Sequence, residues 1–151
     1  MPAKSSIFDN TLLQLIFNST IISVENNAGN GTVNFLTDAG FIPNLYVSLH
    51  TNNPGGTNYQ NTNEAQYTGY ARVAVIRSIS GWTVSGTSVS PAITISFPIA
   101  TGGNETEAYF GIGTSSTGAG TLLYFGIISP SISVSNGITP QLTTSSSITE
   151  A

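Results

Sequence analysis

The sequence has no cysteine, one histidine and only three residues that are Lys or Arg. Without cysteine there is no disulfide and no thiolate-ligated zinc or iron–sulfur site. Three cations cannot displace the counterions of a nucleic acid, so no nucleic-acid partner is expected. They are also too few for the basic amphipathic face that binds an anionic membrane. No apolar run of about 20 residues is present to span a bilayer, so no membrane partner is expected. The opening MPAKSSIFDNTLLQLIF carries one Lys, and Asp9, Asn10 and Gln14 interrupt its apolar run. It makes a poor signal peptide. The expectation is synthesis in a cytosol, with release by a route such as lysis.

Charged residues are 7% of the 151, against about 25% in an average soluble domain. Ser, Thr, Asn and Gly take their place, with 20, 20, 14 and 16 copies. Thr favours strands, whereas Gly and Asn favour turns. With 39% hydrophobic residues this is not a charged disordered chain. The length suits one domain that buries a core without staples. The composition predicts an all-β protein of many short strands.

One segment has helical periodicity. Phe8, Leu12, Leu15 and Ile16 share a face at i, i+4, i+7 and i+8, which predicts a helix over 6–18 with Asp9 in its first turn. Residues 19–40 are rich in Gly, Asn and Thr. A turn at 26–31 between Ile21, Ile22, Val24 and Val33, Phe35, Leu36 predicts a short hairpin. From residue 41 onward the period is two. Leu45, Val47 and Leu49 alternate with Tyr46, Ser48 and His50, as in a half-buried strand. A polar loop over 52–69 is long enough to be functional or docked on a partner. Further strands are expected over 70–78, 93–97, 106–112, 121–128 and 131–135, with a last extended stretch over 138–149. The pattern gives about eight strands, the spacing of a two-sheet β-sandwich, jelly-roll-like, with a short N-terminal helix. Residues 1–40 form a helix and arm, and 41–151 the sandwich. The expected core is Leu45, Val47, Leu49, Val73, Val75, Ile93, Ile95, Phe97, Phe110, Ile112, Leu123 and Phe125.

Candidate chemistry is sparse. His50 can be combined with Ser48 and with Glu64 or Asp38 into a triad, but no GxSxG elbow accompanies it; a polar strand-end residue is the plainer account. Glu105 and Glu107 point to one face of a strand. They can be a calcium or glycosidase pair, or two side-by-side surface carboxylates, the account preferred here. Gly111-Ile112-Gly113 and Gly118-Ala119-Gly120 lack the spacing, the following helix and the Lys of a phosphate loop. Tyr46, Tyr59, Tyr67, Tyr70, Trp82 and Tyr109 can form a sugar platform, although Trp82 sits where a core anchor is common. No catalytic, cofactor or metal residue is assigned. The expectation is a protein that is not an enzyme and needs no cofactor.

One ordered set of strings is recognisable: LLQLIF (12–17), LYVSLHT (45–51), Asn53-Pro54-Gly55, YTGYARVAV (67–75), Trp82, Ser96-Phe97-Pro98, TGG (101–103), FGIG (110–113), the LLYFG strand (118–126) and the run ending at Leu142. It resembles a family of small bacteriophage proteins often labelled tail-fibre-like, related to head decoration, or cement, proteins. Two features depart from the pattern: the 19–40 stretch is longer, and Leu142 stands where an aromatic is usual. The resemblance implies a virion structural protein, a β-sandwich homotrimer whose partner is the major capsid protein on the outer surface of the capsid. A tail-fibre or receptor-binding module recognising host glycan is the alternative. Head and tail are not separated by the sequence.

Overall fold

A computed structural model of the chain describes residues 6–19, 23–25, 32–34 and 42–150. The helical segment becomes α1, Ser6–Asn18. The hairpin in the Gly/Asn-rich stretch is β1 (Ser23–Glu25) against β2 (Thr32–Asn34), with Val24 opposite Val33. Its turn at 26–31, and Ile21, Ile22, Phe35, Leu36 and Asp38, lie outside the described residues. The remaining strands are β3 (Asn44–His50), β4 (Val73–Ile76), β5 (Trp82–Ser85), β6 (Ser88–Pro91), β7 (Ile95–Ser96), β8 (Glu105–Gly113), β9 (Leu122–Val134), β10 (Gln141–Leu142) and β11 (Ile148–Thr149). Eleven strands are thus described where about eight were expected. Several are only two to four residues long and too short to show a period of their own.

The strands form an all-β, sandwich-like architecture. One layer is the four-stranded sheet β4-β3-β8-β9, and smaller sheets β11-β6-β5 and β10-β7 pack against it. Every pairing is antiparallel. Val47, Phe110 and Ile112 of the large sheet meet Trp82, Val89, Ile95, Leu142 and Ile148 of the smaller ones. Burying these side chains stabilises the fold by roughly 1.5–3 kcal/mol each. Of the twelve expected core residues, Leu45, Val47, Leu49, Val75, Ile95, Phe97, Phe110 and Ile112 are buried, and Val73 packs against them half-buried.

Three expected core residues are exposed: Ile93, Leu123 and Phe125. Ile93 lies in the bend before β7, not in a strand. The error in β9 is one of phase. Ile112 stands opposite Tyr124 and Phe110 opposite Gly126, so Tyr124 and Ile128 face the core while Leu123, Phe125 and Ile127 face away. Both sets are apolar, so alternation alone cannot tell them apart. The two strands expected over 121–128 and 131–135 are one continuous strand.

α1 is rotated relative to its expected face. Its buried residues are Asp9, Leu13 and Phe17, and Phe8 is exposed. Phe17 decides the rotation. Its ring meets the Trp82 ring edge-on at 4.9 Å and the Tyr124 ring at 5.6 Å. Arg77 then holds the last turn, donating from Nε to the Ile16 carbonyl at 2.7 Å and from Nη2 to that of Leu15 at 2.8 Å. A guanidinium at a helix C-terminus satisfies orphan carbonyls and favours the helix dipole.

Candidate functional site

The 52–69 loop was expected to be functional or to dock on a partner. It docks on its own sheet. His50 forms a bridge with Glu64, the Thr51 amide donates to the Asn63 carbonyl at 2.9 Å, and the Ala65 amide donates to the Leu49 carbonyl at 2.9 Å. The end of β3 is thereby paired with the returning loop. Ser48 and His50, on the strand face opposite the core, become fully buried. The half-buried strand expected here is closed on both faces because the loop comes back over it.

A chain of directed hydrogen bonds runs beneath the loop. Arg72 Nη1 donates to Gln60 Oε1 at 3.3 Å. Gln60 Nε2 donates to the Tyr46 carbonyl at 2.7 Å and, more weakly, to Ser48 Oγ at 3.4 Å. Ser48 Oγ lies 2.9 Å from His50 Nε2, and His50 Nδ1 lies 2.9 Å from the Thr62 carbonyl. A carbonyl only accepts, so Nδ1 carries the proton. In the neutral ring Nε2 then accepts from Ser48. Burial lowers the His50 pKa below the ordinary imidazole value. The Thr62 carbonyl and Glu64 oppose that shift, and Arg72 adds to it. The neutral form suits the chain, because a second proton on Nε2 would leave the Ser48 hydroxyl hydrogen without its acceptor.

Arg72 also clamps Glu64 with two bonds, Nε to Oε1 at 2.6 Å and Nη2 to Oε2 at 2.7 Å. Its Nη atoms reach the carbonyls of Ser115 and Gly118 at 2.9 and 2.6 Å. Tyr70 donates to Glu64 Oε1 at 2.9 Å and accepts from the Leu49 amide at 3.1 Å. Burial and the Glu64 carboxylate raise the Tyr70 phenol pKa. The bidentate Arg–carboxylate fork is the geometrically specific, strong form of the ion pair.

Two glycines make room for this chain. Gly111 stands opposite Ser48 in the sheet, and Gly113 opposite Tyr46. A Cβ at Gly111 would fall 2.6 Å from His50 Nε2 and 2.8 Å from Ser48 Oγ; one at Gly113 would fall 2.3 Å from Gln60 Oε1. The Gly-Ile-Gly string thus forms the end of β8 and gives the polar chain its space. Gly118 instead supplies a carbonyl to Arg72.

The other sequence candidates separate. The Ser48–His50 pair is assembled, but it is sealed, and its hydrogen bonds are spent holding the loop. Asp38 lies outside the described residues. Glu107 is not a surface carboxylate; it is fully buried, which corrects the expectation for this pair. Burial, and after it the neighbouring Glu105 carboxyl, push Glu107 up to about 8. Glu105 Oε1 accepts from the amides of Gln66 and Tyr67 at 2.8 and 2.7 Å, tying down the far end of the loop. The aromatic platform does not form. Tyr67 and Trp82 are buried, and Tyr59 alone of the six is fully classed as exposed. The sequence did not single out Gln60 or Arg72. Only the pairing of Gly111-x-Gly113 with Tyr46-x-Ser48 shows that large polar groups must fill that space.

An apolar row remains open on this face. Leu123, Phe125 and Ile127 stand exposed along β9, beside the clasped loop. Residues 5–149 match the model of the Gp80 family, described as podophage GP4 fiber I protein gp80. The chain belongs to the Gp80 family. It is accordingly a bacteriophage structural protein of a fibre-type family, with a role in the virion. No curated protein matches the sequence.

Proposed function

We propose that this Gp80-family chain is a non-enzymatic fibre-class component of the phage particle, acting as a homotrimer that needs no cofactor and binds other virion proteins. The family match over nearly the whole chain carries this reading. The fold is consistent with it. Both arginines are engaged with protein groups, Arg72 on the loop and Arg77 on α1. That leaves little positive charge to offer a nucleic acid. The apolar row on β9 suits a protein partner, because aromatic and aliphatic side chains anchor protein interfaces.

Capsid decoration is a second reading. The ordered strings from LYVSLHT to LLYFG favour it. In it, homotrimers clamp the major capsid protein from the outer surface of the shell. Many weak copies would then act together through multivalency. Glycan recognition is the weakest of the three, since Tyr59 is the one exposed ring of the six that would stack on sugar.

Immunogold labelling of intact particles, with counting of copies per virion, tests the choice. Label confined to the tail with a few tens of copies fits the fibre reading. Label spread over the head with hundreds of copies replaces it with decoration.

A further inference from the structure

β9 is a strand built for two neighbours and given one. It runs 13 residues, Leu122–Val134, with register shifts against β8 between Leu122 and Tyr124 and between Ile127 and Ile132. β8 pairs with one side of it, and it stands at the end of the sheet order. Among the described residues no other strand pairs along its second side. Natural proteins blunt such edges with charges, proline, bulges or short length. This one carries no charged residue, LLYFGIISPSISV, and its proline and larger register shift fall in its second half, leaving Tyr124–Ile127 as a regular, uncharged edge.

The first half of the strand is also apolar on both faces. Tyr124 and Ile128 pack on the core, while Leu123 (40% exposed), Phe125 (44%) and Ile127 (70%) face outward. A strand with two apolar faces belongs between two layers, and among the described residues only one layer covers it. The row is extended by Tyr59, which is 56% exposed and bridges to Thr121, two residues before Leu123. The row is preformed. The Phe125 ring rests against Gly55, where a Cβ would clash with the ring, and the loop carrying Gly55 is held by Asn63 Nδ2, which donates to the Asn53 carbonyl at 2.9 Å. A preordered patch loses little conformational entropy on binding.

We infer that the Tyr59–Leu123–Phe125–Ile127 row, with the free side of β9, is the surface on which copies of this chain pack against one another. The inference rests on the homotrimer reading and names its interface. Charge selects the occupant. The chain carries net charge −4, so identical copies repel except where they meet without carboxylates, and this strand has none. A strongly acidic or basic partner would find no counter-charge on it. The four side chains expose on the order of 400 Å² of largely apolar surface, about half of the 800 Å² per partner that a stable interface needs. The row supplies the centre, and the strand edge and loop rim supply the remainder.

The absence of native cysteine makes the test clean. Leu123→Cys, Phe125→Cys and Ile127→Cys are prepared singly in the full chain, with Ile79→Cys as the control. Ile79 is 82% exposed and follows β4, at the opposite end of the sheet from β9. Mild oxidation should link copies through at least one of the β9 positions, because a disulfide needs Cβ atoms about 4 Å apart, and not through Ile79→Cys. In parallel, Ile127→Glu should shift the association midpoint at least tenfold to higher concentration in sedimentation velocity, with the far-UV spectrum of the separated chain unchanged. If wild type associates, but no β9 cysteine links faster than the control and Ile127→Glu leaves the midpoint in place, the interface lies elsewhere and the homotrimer reading stands. If wild type is monomeric at about 100 µM, both fail together.

Discussion

Two ends of one sheet row are treated in opposite ways. Ser48, Gly111 and Phe125 stand side by side across β3, β8 and β9, as do His50, Tyr109 and Ile127 in the next row. At the β3 end the side chains are polar and fully buried; at the β9 end they are apolar and exposed. Hydropathy alone would place them the other way round. What decides is where the 51–69 loop lands, and Arg72 decides that by holding Glu64, Gln60 and the carbonyls of Ser115 and Gly118 at once. Burial of a polar group is tolerable when its bonds are made, and exposure of an apolar row is informative when none of the described residues covers it.

The comparison breaks most severely at the clamp. Arg72→Ala leaves Glu64 without its fork and Gln60 without a donor, and should cost about 3–5 kcal/mol in chemical denaturation. Arg72→Lys should recover only part of this, because an ammonium cannot fork. Limited proteolysis should then cut within 52–63, which wild type resists. Gly111→Ala comes next. Its new methyl would press on His50 and Ser48, and overpacking of this kind costs about 1–3 kcal/mol. Gly56→Ala, with open space around it, should be close to neutral.

pH separates the two buried acid–base groups. His50 has a folded pKa below its unfolded value of 6.5. Its contribution is complete above pH 6.5 and is lost as the pH falls from there through the folded pKa. His50→Gln should flatten that acid limb. Glu107 is the reverse case, with a folded value of about 8 against 4.5 unfolded. Its contribution is complete below pH 4.5 and fades as the pH rises through 8. Glu107→Gln should therefore be more stable than wild type at pH 8 and above, read as the melting temperature against pH. The smallest effect belongs to the open end of the row. Ile127→Ser should change the stability of the separated chain by no more than about 0.5 kcal/mol, whereas Ile112→Ala, one strand away on the core face, should cost about 2–5 kcal/mol.

Much of the frame was legible from residues. The 6–18 helix, the 23–34 hairpin, the strand at 44–50 and the burial of Trp82 follow from periodicity and turn chemistry. Phase was harder to find. In β9 the inward Tyr124 and Ile128 and the outward Leu123, Phe125 and Ile127 are alike apolar, so a period of two has no preferred sense. In α1 the true face differs from the expected one by a single residue, and it was set by the tertiary contact of Phe17 with Trp82. The polar chain was least legible. Ser48 and His50 carry no local sign of burial, because their cover arrives from residues 60–65 and their space from Gly111 and Gly113. Glu107 was hidden for the same reason.

Hydrogen–deuterium exchange on the free, unassembled chain and on the assembled particle tests the division of this face most directly. The account predicts that in the free chain the amides of Thr51, Gln60 and Ala65 exchange as slowly as those of β3, while the β9 amides not bonded to β8 exchange fast. In the particle those β9 amides should become slow and the loop amides should not change. Fast exchange at Gln60 and Ala65 in the free chain, or β9 amides equally fast in both states, would contradict a sealed polar half and an open apolar half on one sheet face.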